Sequence, residues 1–183
     1  MNTIEKALAK QKQSDKSGSN TSTLQAQSNN LSLEEPEISC KPMNKETLLL
    51  NGECLIERGF IYGSDSTHHL QEEFRHIKRK LLNNAFGSAA KTLKHSNLIM
   101  VSSANPNEGK TFISINLALS IALEQEKTVL LVDADVLRPS VHKELEFDFQ
   151  QGLLEYLLDE VPSLSDVIYN TSIPNLKLIP AGQ

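Results

Sequence analysis

The stretch Ala104-Asn105-Pro106-Asn107-Glu108-Gly109-Lys110-Thr111 is preceded by an apolar run, Leu98-Ile99-Met100-Val101, and followed by a helical pattern from Phe112 to Leu123. Strand, loop, helix is the context that a phosphate-binding loop requires. Backbone N–H groups in such a loop point at anionic oxygens, and the helix N-terminus adds partial positive charge. In that reading Lys110 reaches the β- and γ-phosphates and the Thr111 hydroxyl ligates Mg²⁺, with Ala104 to Phe112 as the nucleotide-binding residues. The first position of the usual pattern is Ala104 in place of Gly.

The chain continues as an α/β alternation. A strand over Asn97–Ser102 enters the loop, and a helix over Lys110–Glu126 follows, with Ile113, Leu117, Ser120 and Ile121 inward. Thr128–Val132 is a continuous apolar run, the pattern of a strand buried on both faces. Short helices are expected near Gly152–Asp159 and Leu164–Tyr169, and a strand over Leu176–Pro180. Right-handed crossovers between these strands give a parallel sheet with helices on both faces, the architecture of a P-loop NTPase, here as a partial domain.

The Thr128–Val132 strand runs into Asp133-Ala134-Asp135-Val136-Leu137-Arg138-Pro139. Ligands of open α/β sheets bind beyond the carboxyl ends of the strands, so Asp133 and Asp135 fall on the same edge as Lys110. Mg²⁺ is a hard cation held by one or two carboxylates, phosphate oxygens and water. One of the two aspartates is placed to hold it, directly or through water, and the other to accept a proton from an attacking hydroxyl. Arg138 reads equally as a phosphate contact or as a structural ion pair.

Upstream, Leu70, Phe74, Ile77 and Leu81 recur at helical spacing and form one apolar stripe over a helix Leu70–Leu82, opposed by Glu72, Arg75, Lys78 and Arg79. Glu46–Leu50 reads as a short helix ending near Asn51-Gly52. Residues 1–12 read as a short helix and 13–43 as a disordered linker, rich in Ser, Asn, Gln and Thr and too poor in large apolar residues to offset ordering entropy. The globular part is expected over 44–183. A net charge of −5 without a basic block points away from nucleic acid. The two cysteines, Cys40 and Cys54, show no metal-ligand spacing. No secretory signal or run of about 20 apolar residues is present, so the chain is expected to be soluble and cytoplasmic, with a membrane partner allowed.

Together these motifs resemble a family. Ser102 to Thr111 looks like the Walker A loop of the bacterial tyrosine kinases (BY-kinases), and Leu130-Leu131-Val132-Asp133-Ala134-Asp135 looks like their Walker A′ motif. Glu72-Glu73-Phe74-Arg75-His76-Ile77-Lys78 is similar to their Glu-x-x-Arg-x-x-Arg element, with Lys78 in the last place. Within the family the text is similar to the exosortase-associated autokinase branch. The resemblance covers about Leu70 to Gly182. It implies ATP- and Mg²⁺-dependent autophosphorylation on tyrosine and control of exopolysaccharide or capsule synthesis through a membrane chain-length determinant, a polysaccharide co-polymerase. It also implies a homo-oligomer assembled through Glu72, Arg75 and Lys78.

Beyond Lys78, the chain departs from the pattern in three places. Leu137 stands where many members carry Arg. No third strand ending in a carboxylate, the Walker B element, is found: Leu176-Lys177-Leu178-Ile179-Pro180-Ala181-Gly182 has no Asp. No terminal tyrosine cluster follows, and Tyr62, Tyr156 and Tyr169 read as structural. The chain is therefore expected to be C-terminally truncated relative to a complete domain. Two other classes stand beside the kinase. A ParA/MinD-type partitioning ATPase shares the fold and the Asp motif, but its loop carries a signature lysine where this chain has Asn105. A non-catalytic nucleotide-binding regulatory module fits a chain without the third carboxylate.

Overall fold

The computed structural model describes residues 47–63, 68–92, 94–124 and 126–183. The expectations for residues 1–12 and 13–43 lie outside the described residues.

The helix that follows the loop organises the fold. Gly109 takes a left-handed backbone (φ 89°), and the helix starts on the next residue, spanning Lys110–Ala122 (α3). Its text is aliphatic or small almost all round, and a helix of that kind is buried. Every residue from Ile115 to Ala122 is buried. Two of these are polar and one is fully enclosed: Asn116 accepts from Ile61 N–H (2.8 Å) and donates to the Phe112 carbonyl (3.1 Å), so its burial leaves no polar atom stranded. The expected inward positions Leu117, Ser120 and Ile121 are buried, whereas Ile113, in the first turn, is exposed.

The preceding helix, His68–Phe86 (α2), packs on α3. Its buried stripe runs Phe74, Lys78, Ala85, with Leu70, Leu81 and Leu82 half-buried. Ile77, expected inward, is 46% exposed, and Lys78, expected on the charged face, takes its place. The period explains the exchange, because four residues on from Phe74 is Lys78. The Lys78 ammonium donates to the Ser120 carbonyl (3.0 Å) and pairs with Glu124 (2.7 Å), which makes its burial tolerable. Glu124 is held below the usual carboxylate range chiefly by this hydrogen bond and by the charge of Lys78.

Glu46–Leu50 was expected to be helical. Instead Leu48 bridges to Thr171, with Leu48 N–H donating to Asn170 O (2.9 Å) and Ser172 N–H to Leu48 O (2.8 Å). The helix lies beyond Asn51, over Gly52–Glu57 (α1), because the Asn51 side chain accepts from Glu53 N–H (3.0 Å) and Cys54 N–H (3.5 Å). Asn-Gly reads as a stop, yet an Asn side chain that accepts from the next turn is a start.

The sheet has the order β1-β3-β2, where β1 is Val129–Val132, β2 is Tyr169–Asn170 and β3 is Leu176–Ile179. β1 and β3 are parallel, with Val129 opposite Leu176 and Val132 opposite Ile179. β2 runs antiparallel to β3. The sheet is thus mixed, not wholly parallel as expected. Only Thr171–Asn175 joins β2 to β3, too short for a parallel crossover. Asn175 (φ 64°) and the Thr171 hydroxyl, which donates to Leu176 O (2.9 Å), shape that turn.

Leu131, Leu176 and Leu178 face the main core with α1, α2 and α3. Ile179 faces the other side, under Val161 and Val167, where α5 (Leu153–Leu157) and the 3-10 turn Leu164–Val167 pack. Helices thus lie on both faces at β3. Along β1 the second face is open: Leu130 is 41% and Val132 is 40% exposed, so β1 is buried on one face, not two. The expected strand Asn97–Ser102 joins no ladder, and Leu98 and Met100 project into solvent. It leaves a turn at residues 94–97, where His95 has φ 53°, and a strand exists only against a partner's backbone. A short helix, Val141–Glu144 (α4), follows the aspartate loop, tied to α1 by Arg58 through the Lys143 carbonyl (3.0 Å), Glu144 (3.3 Å) and Glu146.

Candidate functional site

Between Val101 and α3 the chain folds into a loop held by its own side chains. Ser103 Oγ donates to Asn105 O (3.0 Å). The Glu108 carboxylate reaches back over the loop and accepts from Asn105 N–H (3.0 Å) and from the Asn105 amide (2.9 Å). These bonds, led by the backbone N–H, hold Glu108 below the usual carboxylate range. Asn107 (φ 62°) and Gly109 (φ 89°) both take the left-handed conformation that bends the loop into the helix. At Gly109 a Cβ would meet nothing within 4 Å, so glycine is required there by backbone conformation and not by space.

Ala104 to Gly109 are exposed, and Lys110 and Thr111 half-buried. The first turn of α3 leaves its leading N–H groups without intrahelical acceptors, aimed out of the helix N-terminus. The arrangement suits an anion with several oxygens.

The aspartate loop stands beside this turn. Asp133 continues the β1 ladder through its N–H to Ile179 O (2.9 Å). Its carboxylate is buried, accepting from Asp135 N–H (3.1 Å) on one oxygen and from Ser140 N–H (3.2 Å) and Val141 N–H (3.1 Å) on the other. Asp135 is exposed and accepts from Arg138 N–H (3.1 Å). Leu137 and Arg138 are also exposed. Ser140 completes the connection: its Oγ lies 2.7 Å from Thr111 Oγ1. Thr111 and Asp133, far apart in sequence, are thereby joined through one residue.

The donors gathered here are hydroxyl and carboxylate oxygens, the set that suits Mg²⁺. Among the described residues no group of three or more His, Cys, Asp or Glu side chains could hold a metal ion. A cation here therefore needs oxygens from a bound phosphate or from water to complete its shell.

Glu72, Arg75 and Lys78 lie on α2, away from the loop: Lys78 meets α3 at Ser120, about 15 Å of helix rise from Lys110. Glu72 and Arg75 are exposed and paired (3.1 Å), while Lys78 is spent inside the chain. Tyr169 is pinned by its hydroxyl to Gln151 O (2.9 Å), and Tyr156 packs against the second core. Sequence reasoning missed Ser140. The available signal was a Ser directly before an apolar helical residue, the text of a helix cap.

No family model matches the chain. It is 44% identical over 88 residues to the tyrosine-protein kinase ptk of Acinetobacter johnsonii, which covers 48% of this chain and 12% of that protein. It is 32% identical over 127 residues to the tyrosine-protein kinase YwqD of Bacillus subtilis (strain 168), covering 69% of this chain and 50% of that one. A putative tyrosine-protein kinase in cps region of Klebsiella pneumoniae is 37% identical over 87 residues, covering 48% and 12%. Among solved structures, the chimerical protein CapA2B2 superposes with a TM-score of 0.50 at 24% identity over 74% of this chain and 54% of that chain, a likeness of fold. The fold and these matches define an α/β protein of the kinase-like class. The chain belongs to the bacterial tyrosine kinase family. It spans half or less of the length of each of these curated relatives.

Proposed function

We propose that this chain carries the ATP site of a protein-tyrosine autokinase that regulates exopolysaccharide or capsule biosynthesis. The observation that supports it most is the bond between Thr111 and Ser140, which sets the loop Ala104–Phe112 against the carboxylate end of β1. In this reading the N–H groups of the loop and Lys110 hold the phosphates, and Thr111 and the Asp133 loop hold Mg²⁺. Mg²⁺ bound with ATP neutralises charge on the phosphates. Asp133, buried and bonded to three backbone N–H groups, shapes the loop and meets the cation through its remaining lone pairs or through water. Asp135, exposed beside it, accepts the proton of the attacking tyrosine hydroxyl. The assembly face is Glu72 and Arg75 on the outer side of α2, with Lys78 fixing that helix from behind. The partner is a membrane chain-length determinant, and among the described residues no helix is long and apolar enough to cross a membrane.

Binding of a fluorescent ADP analogue with Mg²⁺ tests the nucleotide half. Lys110→Met is expected to weaken it by at least about tenfold, the loss of one charged phosphate contact. Phosphotyrosine formed with ATP and Mg²⁺ tests transfer. Wild-type protein that binds nucleotide yet yields no more phosphotyrosine than Lys110→Met would leave a regulatory module. ATP-dependent association with DNA or lipid vesicles, without phosphotyrosine, would favour the partitioning ATPase.

A further inference from the structure

We infer that Ser140 is a positioning residue for the nucleotide-bound cation, acting through Thr111. The inference rests on the nucleotide-site reading above and adds a residue that no motif assigns.

Two independent observations carry it. Ser140 occupies the N-cap position of α4, where a serine side chain ordinarily accepts from an N–H of the first turn. It makes no such bond, and its hydroxyl is turned to Thr111 Oγ1 at 2.7 Å. The caps of that turn come from Asp133, whose Oδ2 accepts from the N–H groups of both Ser140 and Val141. Asp133 thus does the work of the cap and frees the Ser140 hydroxyl for the neighbouring loop.

The chemistry of a metal-bound hydroxyl gives this bond its meaning. A threonine oxygen that coordinates a cation presents a lone pair to it, and its proton must point elsewhere, to an acceptor. Either hydroxyl of the pair can donate. With the cation bound, Thr111 donates to Ser140 Oγ, and that single bond fixes the Thr111 rotor with a lone pair toward the metal. Outer partners of this kind orient metal ligands elsewhere, and their loss typically weakens metal binding by about 10- to 100-fold. No proton leaves the pair and no bond to carbon or phosphorus changes.

The test is a titration of MgCl₂ into the whole chain with a fluorescent ADP analogue, beside the same binding measured in EDTA. Ser140→Ala is expected to raise the Mg²⁺ concentration at half-effect by about 10-fold and to change the affinity in EDTA less than about twofold. Ser140→Thr restores the wild-type titration, because it returns a hydroxyl at the same place. A Ser140→Ala titration superimposable on wild type overturns the inference. So does an equal loss with and without Mg²⁺ in both Ser140→Ala and Ser140→Cys, which shows that the residue only shapes the loop. Failure of the wild-type chain to bind nucleotide overturns the nucleotide reading and this inference together. Nucleotide binding by wild type that is indifferent to Mg²⁺ sinks this inference alone.

Discussion

Asp133 is buried and its carboxylate accepts three backbone N–H groups, whereas Asp135, two positions on, is exposed and accepts one. An amide at 133 would turn two N–H donors toward a site built from donors. Asp133→Asn is expected to destabilise the chain by about 1–3 kcal/mol, read from the urea midpoint. Asp135→Asn should stay within about 0.5 kcal/mol on the same measurement, and its effect should appear in phosphotyrosine formation instead. At this scale the sequence was informative where chemistry sits in a spaced motif: Thr111 and Asp133, each named from its own motif, are joined through Ser140. Ser140 was illegible because its partner lies across two loops, and no local pattern announces that a cap residue has abandoned its cap. Glu108 was seen as a loop member, but its fold back onto Asn105 depends on left-handed turns at Asn107 and Gly109 that only the backbone reveals.

Among the elements, α2 shows how a small error of phase changes a residue's role. Ile77 and Lys78 are neighbours on a helix, and the stripe through Phe74 can be drawn through either. An apolar side chain is the natural choice from text alone, but a lysine with a carbonyl and a carboxylate within reach is an equally good occupant. Lys78→Met keeps the stem and removes the charge, leaving the Ser120 carbonyl at the end of α3 without its donor. It is expected to cost about 1–3 kcal/mol by urea denaturation, since Lys78 is nearly buried. Glu72→Ala and Arg75→Ala should each stay within about 0.5 kcal/mol, because both side chains are more than half exposed. If sedimentation shows assembly, those two substitutions should weaken it while monomer stability holds. The long helices α2 and α3 were legible because their period repeats over many residues, whereas the short α1 and α4 were not. The segment at 97–102 and the short β2 were not, because pairing is decided by what lies alongside and not by what lies along the chain.

For the whole molecule, charge sets the response to acid. Glu124 is depressed by Lys78, Glu146 by hydrogen bonds from Cys54 and Arg58 and by the Arg58 charge, and Glu108 by Asn105. Groups depressed in the folded state contribute stability that is present above their unfolded value, 4.5, and is lost as pH falls through the folded value. The urea midpoint should therefore be insensitive to these groups near neutrality and should drop below about pH 4.5. Glu124→Gln should flatten part of that drop; an unchanged acid limb would show that the Lys78 pair contributes nothing. The Glu146 contacts join α1 to the end of α4, two elements distant in sequence, so acid should loosen the packing there as well as within α2 and α3.

Among the described residues β1 is an edge strand, and its peptide groups divide accordingly. The N–H groups of Val129 and Asp133 donate across to Asn175 and Ile179 of the neighbouring segment. In a parallel ladder the alternate residues, Leu130 and Val132, present theirs to the opposite side. Deuterium uptake resolved to single amides should therefore beat in twos along this strand, slow at Leu131 and Asp133 and fast at Leu130 and Val132. If another strand takes its place along that edge, in a longer protein or a neighbouring molecule, the fast set falls silent. Two backbone protons thus give a direct reading of whether the sheet continues.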